Sequence, residues 1–325
     1  MKCTNNLSKK IGMFCIFCAT VVIVSGCGKK KDFDNAYDVY SSNYSYEDTN
    51  YDYFSHNLCV TNNVNYGTDS TDSQIASGAG AFNLDTKEVV YSQNIFDKLY
   101  PASTTKILTA YIIIKNCNLD DMVTVSENAA NPGESSSICG IKQGDVISVN
   151  DLLYGLMLES GNDAAIALAE YYSGSVESFA QVMNSEAKKL GATASNFVNP
   201  SGYPDKNHYT TVYDMYLITQ AAISLEKFNE IINTSTYDVT YTNKDNNTVS
   251  DTFKNTCHYI TGATTPPEGM TVVGGKTGTT FDAGYCLVLF SYNKNNERII
   301  SIVFKADGRS NLYMLMNQIL SGFAN

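Results

Sequence analysis

Residues 283–306, AGYCLVLFSYNKNNERIISIVFKA, contain two apolar, β-branched runs separated by the polar segment NKNNE. This pattern predicts two antiparallel strands joined by a turn, and the apolar run in residues 310–323 predicts a closing helix. Near the other end, residues 77–94, SGAGAFNLDTKEVVYSQN, predict a second hairpin with its turn at Asp85–Lys87. Strands are therefore expected at both ends of the folded part of the chain.

Helical periodicity dominates the residues between these two hairpins. Five helices are predicted there, over residues 103–116, 149–160, 161–172, 176–191 and 210–223. Asn150 or Asp151 is expected to cap the second helix, Gly191 to end the fourth, and Thr211 with Asp214 to form a capping box at the fifth. We therefore predict an α+β fold, in which an antiparallel sheet pairs the beginning of the chain with its end and a mainly helical subdomain is inserted.

Composition excludes several classes of function. The chain has 325 residues and a net charge of -11, which argues against a nucleic acid partner because phosphate binding needs a basic surface. The three histidines, His56, His208 and His258, are too scattered for a helical zinc motif. Neither a metal site nor a cofactor is expected.

The N-terminus, MKCTNNLSKKIGMFCIFCATVVIVSGCGKKK, has basic residues followed by an apolar run that ends at Val24. This run is short for a membrane span but suits a signal peptide. The segment Val24–Cys27 resembles a bacterial lipobox, which predicts a signal over residues 1–27 and a lipid on Cys27. An uncleaved signal anchor is the alternative, and both place the rest of the chain outside the cytoplasmic membrane, on its outer face.

A change of composition follows the predicted signal. Residues 28–75 are rich in Tyr, Asn, Asp and Ser with few aliphatic residues, so we expect a flexible linker there and a folded domain over 76–325. Five cysteines remain after Cys27, and their spacing predicts no disulfide framework.

The segment YPASTTKIL, residues 100–108, places Ser103 three residues before Lys106 at the start of a predicted helix. A serine needs a base within hydrogen-bond reach to act as a nucleophile, and this spacing puts both side chains on one helix face. Free N–H groups at the helix start can also stabilise an oxyanion. The motif alone is weak, because S-x-x-K also occurs at Ser185/Lys188, Ser224/Lys227 and Ser291/Lys294.

Two further motifs single out the first match. Ser160-Gly161-Asn162 lies between two predicted helices, and Lys276-Thr277-Gly278 is the only K-T-G in the chain. A phosphate-binding Walker loop is excluded, because the residue five positions before Gly275 is not glycine. In this order, S-x-x-K, S-x-N and K-T-G form the motif set of penicillin-binding proteins and serine β-lactamases.

From about residue 76 onward the chain resembles the low-molecular-mass D-alanyl-D-alanine carboxypeptidases. Four segments are similar to the usual sequence motifs of that family: YPASTTK, LESGNDAA, NFVNPSGYPDKNHYTTVYDM and GGKTGTT. The resemblance implies a β-lactamase/DD-peptidase-like fold and a serine hydrolase that removes the terminal D-Ala from peptidoglycan pentapeptides. It also implies covalent inhibition by penicillin and other β-lactams.

The resemblance assigns the catalytic roles by position. Ser103 would attack the D-Ala-D-Ala carbonyl and form an acyl-enzyme, while Lys106 would take its proton. Ser160 would pass a proton to the departing D-alanine, and Lys276 would hold the charge of this network.

The same resemblance implies the substrate contacts. Asn162 would form a hydrogen bond with the backbone of the substrate. Thr277 would bind the terminal carboxylate, as part of the K-T-G motif that ends at Gly278. The backbone N–H groups of Ser103 and Thr279 would form the oxyanion hole. Arg309, one of two arginines, matches a family arginine near the carboxylate site, with a surface charge as the alternative.

Three neighbouring residues are expected to be structural. His208 would hold a loop, Cys139 would pack beside the cleft, and Asp163 would cap the helix that follows it. No β-rich domain is expected after the catalytic one.

Two other functions remain open. A class A β-lactamase would carry E-x-x-L-N, which is absent between Ser160 and Lys276. The domain could otherwise be a β-lactam sensor or a wall-binding scaffold without activity.

Overall fold

The computed structural model describes residues 57–323, which belong to one compact unit of the chain. The predicted signal peptide, Cys27 and the first part of the predicted linker lie outside the described residues. Within this range, no helix is both long and apolar enough to cross a membrane.

Nine strands are present in the described range. They are β1 (Gly78–Asn83), β2 (Glu88–Gln93), β3 (Met122–Thr124), β4 (Val146–Ser148), β5 (Thr236–Thr242), β6 (Thr248–Lys254), β7 (Thr271–Thr280), β8 (Gly284–Tyr292) and β9 (Arg298–Ala306). Five of them form an antiparallel sheet in the order β2-β1-β9-β8-β7. The pairing of β1 with β9, in which Gly78 lies opposite Phe304, confirms the prediction that the beginning of the domain pairs with its end.

Nine α-helices accompany the strands of the described range. They are α1 (Lys106–Asn116), α2 (Glu127–Ala130), α3 (Val149–Met157), α4 (Asn162–Ser173), α5 (Val176–Lys189), α6 (Val212–Ile223), α7 (Glu226–Asn233), α8 (His258–Thr261) and α9 (Arg309–Ser321). Helix α9 packs against β8 and β9, while α6 packs against β1 and β9.

Both faces of the large sheet are buried, as β8 illustrates. Leu287 and Leu289 join one apolar cluster with α9, and Val288 and Phe290 join a second cluster with the central helices. Successive side chains of a strand point to opposite faces, so a continuous apolar run is what a strand covered on both sides requires.

The inserted part of the domain contains a second sheet that the sequence pattern did not predict. Its order is β3-β4-β5-β6, and β5 and β6 form a hairpin. Only Val239 and Tyr241 of β5 and Phe253 of β6 are buried. Because most of the other side chains of these strands are polar and all are at least partly exposed, the apolar signal of the hairpin is weak.

The boundary between linker and domain was predicted too late in the chain. Cys59 is fully buried, and its backbone N–H donates to the hydroxyl of Tyr216 over 2.8 Å. Tyr66 forms an isolated bridge with Ser92 of β2. Residues 57–75 therefore belong to the folded domain, since their contacts are to strands and helices far along the chain rather than to a local apolar pattern.

The helix ends follow the sequence in part. Gly191 follows α5 with a φ of 85°, as predicted. Thr211 accepts from the N–H of Asp214, which is one half of the predicted capping box, while the Asp214 carboxylate accepts from Ala194 and Ser195. The prediction for α3 was wrong, because Ser148 rather than Asn150 or Asp151 is the cap and accepts from a backbone N–H in the first turn. Ser148 is the last residue of β4, so strand and cap share one residue.

Candidate active site

Ser103 lies in a single 3₁₀ turn, Ala102–Thr105, that leads directly into α1. Strand β7 passes close to this turn: a Cβ atom on Gly278 would lie 2.9 Å from the Ser103 nitrogen and 3.0 Å from the Pro101 carbonyl. Only glycine permits this approach, which brings the K-T-G motif beside the serine.

Lys106 occupies the first turn of α1 and is fully buried. Its Nζ lies 3.0 Å from Oγ of Ser103, 2.7 Å from Oδ1 of Asn162 and 2.9 Å from the carbonyl oxygen of Ser201. The structure therefore brings Ser103, Lys106 and Asn162 together as predicted.

The three partners of Lys106 suit a neutral amine. Oδ1 of Asn162 and the Ser201 carbonyl can only accept, so they take the two protons of an NH₂ group. The lone pair then faces Ser103, whose hydroxyl is the one partner able to donate. Burial, together with the charge of Lys276, lowers the pKa of Lys106 well below its ordinary value. A buried amine that prefers its neutral form can act as a general base.

The Ser201 carbonyl belongs to a loop that the side chain of Asn199 organises. Oδ1 of Asn199 accepts from the backbone N–H groups of Ser201, Gly202 and Tyr203. Gly202 has a φ of 79° and packs against the turn of Ser103, where a Cβ would lie 1.8 Å from the Ala102 carbonyl oxygen. The segment NPSGY thus forms one wall of the nucleophile's surroundings.

His208 joins this loop to the turn that carries Ser103. Its Nδ1 accepts from the N–H of Val198, so the proton sits on Nε2, which lies 2.8 Å from Oγ1 of Thr105. Burial lowers the pKa of His208 to about 4. These contacts agree with the predicted loop-holding role.

Ser160 lies between α3 and α4 in the chain and lines the cleft. Its φ is 60°, a left-handed conformation that is uncommon for serine.

Asp163 does not cap α4 as predicted, because the cap position is Gly161. Its carboxylate instead accepts from the N–H groups of Cys139 and Gly140 and so anchors the loop that contains them. The Cys139 side chain is buried against the same carboxylate, which is a packing role.

Asn162 is engaged on both ends of its amide. Oδ1 accepts from Lys106, and Nδ2 donates to Oγ of Ser136 over 3.1 Å. One Nδ2 proton remains for another acceptor. The side chain therefore has two roles: it positions Lys106, and it can donate to a further group.

The K-T-G motif lies within β7, the edge strand of the large sheet. Lys276 is buried and donates to the carbonyl of Thr277 over 3.0 Å, and burial lowers its pKa to about 7. Oγ1 of Thr277 lies 2.7 Å from Oγ1 of Thr256. Two buried lysines with lowered pKa values therefore flank one cleft, a concentration typical of functional sites.

Several of the residues described above line one cleft of about 430 Å³. Its lining includes Ser103, Ser160, Thr277, Thr279, His258 and Arg309. Arg309 is the first residue of α9 and is exposed. The cleft is thus lined by a serine that contacts its base and by a guanidinium, which suits an anionic, acyl-bearing substrate.

Four contributors were not predicted from the sequence: the Ser201 carbonyl, Asn199, Thr256 and His258. The segment NPSGY resembles the family's sequences, and its Pro-Ser-Gly turn is the local signal that indicates a loop there. Thr256 and His258 carry no local motif, because their partners Thr277 and Tyr313 lie 21 and 55 residues further along the chain.

Within residues 57–323, the structure holds no group of three or more His, Cys, Asp or Glu side chains suited to a metal. The five cysteines of that range are all free thiols.

A sequence profile of the family described as D-alanyl-D-alanine carboxypeptidase matches residues 65–308. The D-alanyl-D-alanine carboxypeptidase DacF of Bacillus subtilis is 35% identical over 237 residues, which is 71% of this chain and 57% of the relative. DacC of Escherichia coli is 37% identical over 228 residues, 67% of this chain and 54% of the relative. The chain therefore spans little more than half the length of these two relatives.

Solved structures also match this chain, and these matches cover a larger share of both chains. The Streptomyces K15 DD-transpeptidase superposes with a TM-score of 0.71 at 30% identity, covering 77% of this chain and 98% of that one. The D-alanyl-D-alanine carboxypeptidase DacD from Francisella tularensis gives a TM-score of 0.68 at 27% identity, with 81% and 72% covered. These neighbours confirm the predicted α+β, DD-peptidase-like fold.

Proposed function

Because the chain belongs to the D-alanyl-D-alanine carboxypeptidase family, we propose that it is a serine-type carboxypeptidase acting on peptidoglycan pentapeptides that end in D-Ala-D-Ala. The observation that carries this proposal is the 3.0 Å contact between Oγ of Ser103 and Nζ of Lys106, a lysine buried to 0% exposure beside a solvent-accessible cleft. Nucleophile and base are thus in place before any substrate arrives.

In the acylation step, Oγ of Ser103 attacks the carbonyl carbon between the two D-alanines while Lys106 takes the hydroxyl proton. The resulting oxyanion accepts from the N–H groups of Ser103 and Thr279. The 3₁₀ turn that begins at Ala102 and the close approach of Gly278 support this arrangement. Fixed donors aimed at a developing charge give a large part of the rate enhancement in acyl transfer.

In the second half of the step, the peptide bond breaks and D-alanine leaves as an amine that needs a proton. Ser160 passes this proton, and Lys276, whose pKa is lowered to about 7, holds the charge of the network. Water then hydrolyses the ester and regenerates Ser103. The shared cleft supports Ser160 in this role, since Ser160 and Ser103 both line it.

The terminal carboxylate of the substrate binds at the end of the cleft that Arg309 lines, to Oγ1 of Thr277 and to Arg309. Both residues line that cleft, and Arg309 is one of only two arginines in the chain. Asn162 contributes its remaining N–H to the substrate backbone and holds Lys106 with its oxygen. No cofactor takes part in these steps.

Intact mass spectrometry after exposure to benzylpenicillin tests the proposal, with digestion to locate the adduct. We expect one covalent adduct on Ser103, loss of the adduct in Ser103→Ala, and no change in Ser185→Ala. Ser185 is the matched control, because it heads another S-x-x-K match and is exposed on α5. Release of free D-alanine from a pentapeptide separates an enzyme from a sensor or scaffold: acylation by penicillin without D-alanine release would contradict the proposed activity.

Slow hydrolysis of the penicillin adduct is expected, which separates this chain from a β-lactamase. Glu159 is the only carboxylate among the cleft-lining residues, and its Oε1 accepts from the backbone N–H of Lys254 over 2.6 Å. A carboxylate held in this way is poorly placed to activate water. Steady-state nitrocefin turnover faster than about 1 s⁻¹, the low end of typical enzyme turnover, would favour the β-lactamase instead.

We further propose that the protein is a lipoprotein on the outer face of the bacterial cytoplasmic membrane. The support is the sequence of residues 1–27, in which an apolar run leads to Cys27. Incorporation of labelled palmitate that is lost in Cys27→Ser is the expected result, with Cys117→Ser as the control. Membrane attachment that persists in Cys27→Ser without label would indicate an uncleaved signal anchor.

A further inference from the structure

His258 occupies the carboxylate end of the cleft without a role in the steps described above. It begins helix α8, lines the cleft with Thr277 and Arg309, and is neither fully buried nor fully exposed. No hydrogen bond within the described residues involves its ring nitrogens, although its backbone N–H donates to the hydroxyl of Tyr313 over 3.0 Å. The imidazole is therefore available to a ligand in the cleft.

The ring is held rigidly in that place. It stacks on Tyr313 with ring centroids 4.4 Å apart and the planes only 4° from parallel. Tyr313 follows Arg309 by four residues on α9, so both side chains lie on the same face of the helix. The stack therefore fixes the imidazole beside the guanidinium, at the end of the cleft where the substrate carboxylate binds.

The titratable groups around His258 come from every element that lines this end of the cleft. They are Arg309 and Tyr313 of α9, Tyr285 of β8, Glu159 before Ser160, and Lys276 of β7, whose charge acts on the neighbouring Cys257. Glu159 is tied to the Lys254 N–H. The end of the cleft therefore has one permanent cation and two groups, His258 and Lys276, that gain a positive charge as the pH falls.

We propose that His258 is a second cationic residue for the terminal carboxylate of the substrate and is protonated when that carboxylate binds. This inference rests on the proposed function and adds a specificity residue to it. Arg309 acts at every pH, whereas His258 adds its charge only on the acid side of neutrality.

The state of His258 in the free protein agrees with this role. Burial and the charge of Arg309 lower its pKa, so the ring is neutral in the empty cleft at neutral pH. An arriving carboxylate brings a negative charge next to the ring and favours the charged form. Binding of the anion is then accompanied by proton uptake, and the affinity for it rises as the pH falls.

Two probes that differ only in the carboxylate isolate this effect. Benzylpenicillin carries the anion and its methyl ester does not, and both acylate Ser103 through the same base. The ratio of their second-order acylation rate constants cancels the pH dependence of Lys106. From about pH 8 to about pH 5.5, we expect this ratio to rise about fivefold to tenfold in the wild-type chain, the effect of one charge-assisted contact.

Two variants assign the change to His258. In His258→Gln the ratio should stay flat over this range, and in His258→Lys it should stay high up to about pH 8. Acylation by the methyl ester serves as the folding control for both, because it does not use the carboxylate end of the cleft. If the pH dependence persists in His258→Gln, the responsible cation is Lys276, whose pKa is about 7, and the inference is overturned.

The outcomes also separate this inference from the proposed function. If neither probe acylates Ser103 in the wild-type chain, the proposed function fails. If both probes acylate it but their ratio does not change with pH, only the role of His258 fails. The pH dependence of KM for D-alanine release from a pentapeptide should follow that of the ratio, with kcat much less affected.

Discussion

Nε2 of His208 lies 2.8 Å from Oγ1 of Thr105, the residue directly before Lys106. The other ring nitrogen accepts from the N–H of Val198, three residues before Ser201, whose carbonyl accepts from Lys106. One buried imidazole thus connects the turn that carries the nucleophile to the loop that orients the base. The distance from Nζ of Lys106 to the carbonyl oxygen of Ser201 depends on this connection.

Replacing His208 with alanine is expected to slow acylation and to lower stability together. The change leaves the buried Thr105 hydroxyl and the Val198 N–H without a partner, at a cost of about 1–3 kcal/mol for each group. It also releases the Ser201 carbonyl from its position. Acylation by benzylpenicillin and urea denaturation measure the two effects. In His208→Gln, whose amide can restore one of the two bonds, both losses should be smaller; an unchanged acylation rate in His208→Ala would contradict the positioning role.

Stability should fall as the pH drops from about 6.5 to about 4. The pKa of His208 is about 4 in the folded chain against 6.5 for an ordinary histidine, so the unfolded chain binds more protons between these values. The contribution of neutral His208 is on the order of 3 kcal/mol and is fully present above pH 6.5. The free energy of unfolding of the wild type minus that of His208→Gln should therefore shrink with acid, because the carboxylates common to both chains cancel. The free energy of unfolding of the wild type minus that of His258→Gln, a variant that keeps His208, should change much less with pH.

Lys106→Arg is expected to reduce acylation about 10²-fold to 10⁴-fold, the usual contribution of a general base. Arginine can still donate to Asn162 and to the Ser201 carbonyl but cannot give up its proton at any relevant pH. The loss should not recover as the pH is raised to about 9, which separates a missing base from a shifted one. Lys188→Arg, in the S-x-x-K match on α5, is the control and should retain the wild-type rate.

Gly278→Ala should slow acylation because its Cβ would lie 2.9 Å from the Ser103 nitrogen and 3.1 Å from the Ala102 Cβ. The nitrogen that is displaced is one of the two proposed oxyanion donors, and loss of one such donor costs about 10²–10³ in rate. Gly174→Ala is the contrasting variant. Gly174 ends α4 with a φ of 81° and nothing near its Cβ, so this variant should lose about 1 kcal/mol of stability and keep its acylation rate.

The sequence predicted the parts of the fold and the site that depend on local pattern. The apolar runs of β8 and β9 predicted strands, and the three motifs pointed to Ser103, Ser160 and Thr277, which line one cleft. These parts could be predicted because each motif is short and its backbone geometry follows from glycines and helix starts.

Contacts between distant parts of the chain could not be predicted. The β5–β6 hairpin has few buried side chains, and Cys59 is buried in a place where Tyr216, 157 residues away, accepts its N–H. The stack of His258 on Tyr313 likewise has no local signal. The pKa of Lys106 is another such property, because it depends on complete burial and on Lys276 in β7.

The pairing of β1 with β9 sets a condition on the order in which the protein can be made and folded. The central position of the large sheet is filled by β9, which begins at Arg298, 205 residues after β2 ends at Gln93. The hairpin of β1 and β2 therefore lacks its partner strand until β9 has been synthesised. Closing a loop of this length is slow and leaves apolar strand edges exposed meanwhile. A growing chain of this protein must therefore stay protected from aggregation until β9 is available, and loss of β9 would leave the two halves of the sheet without the strand that joins them.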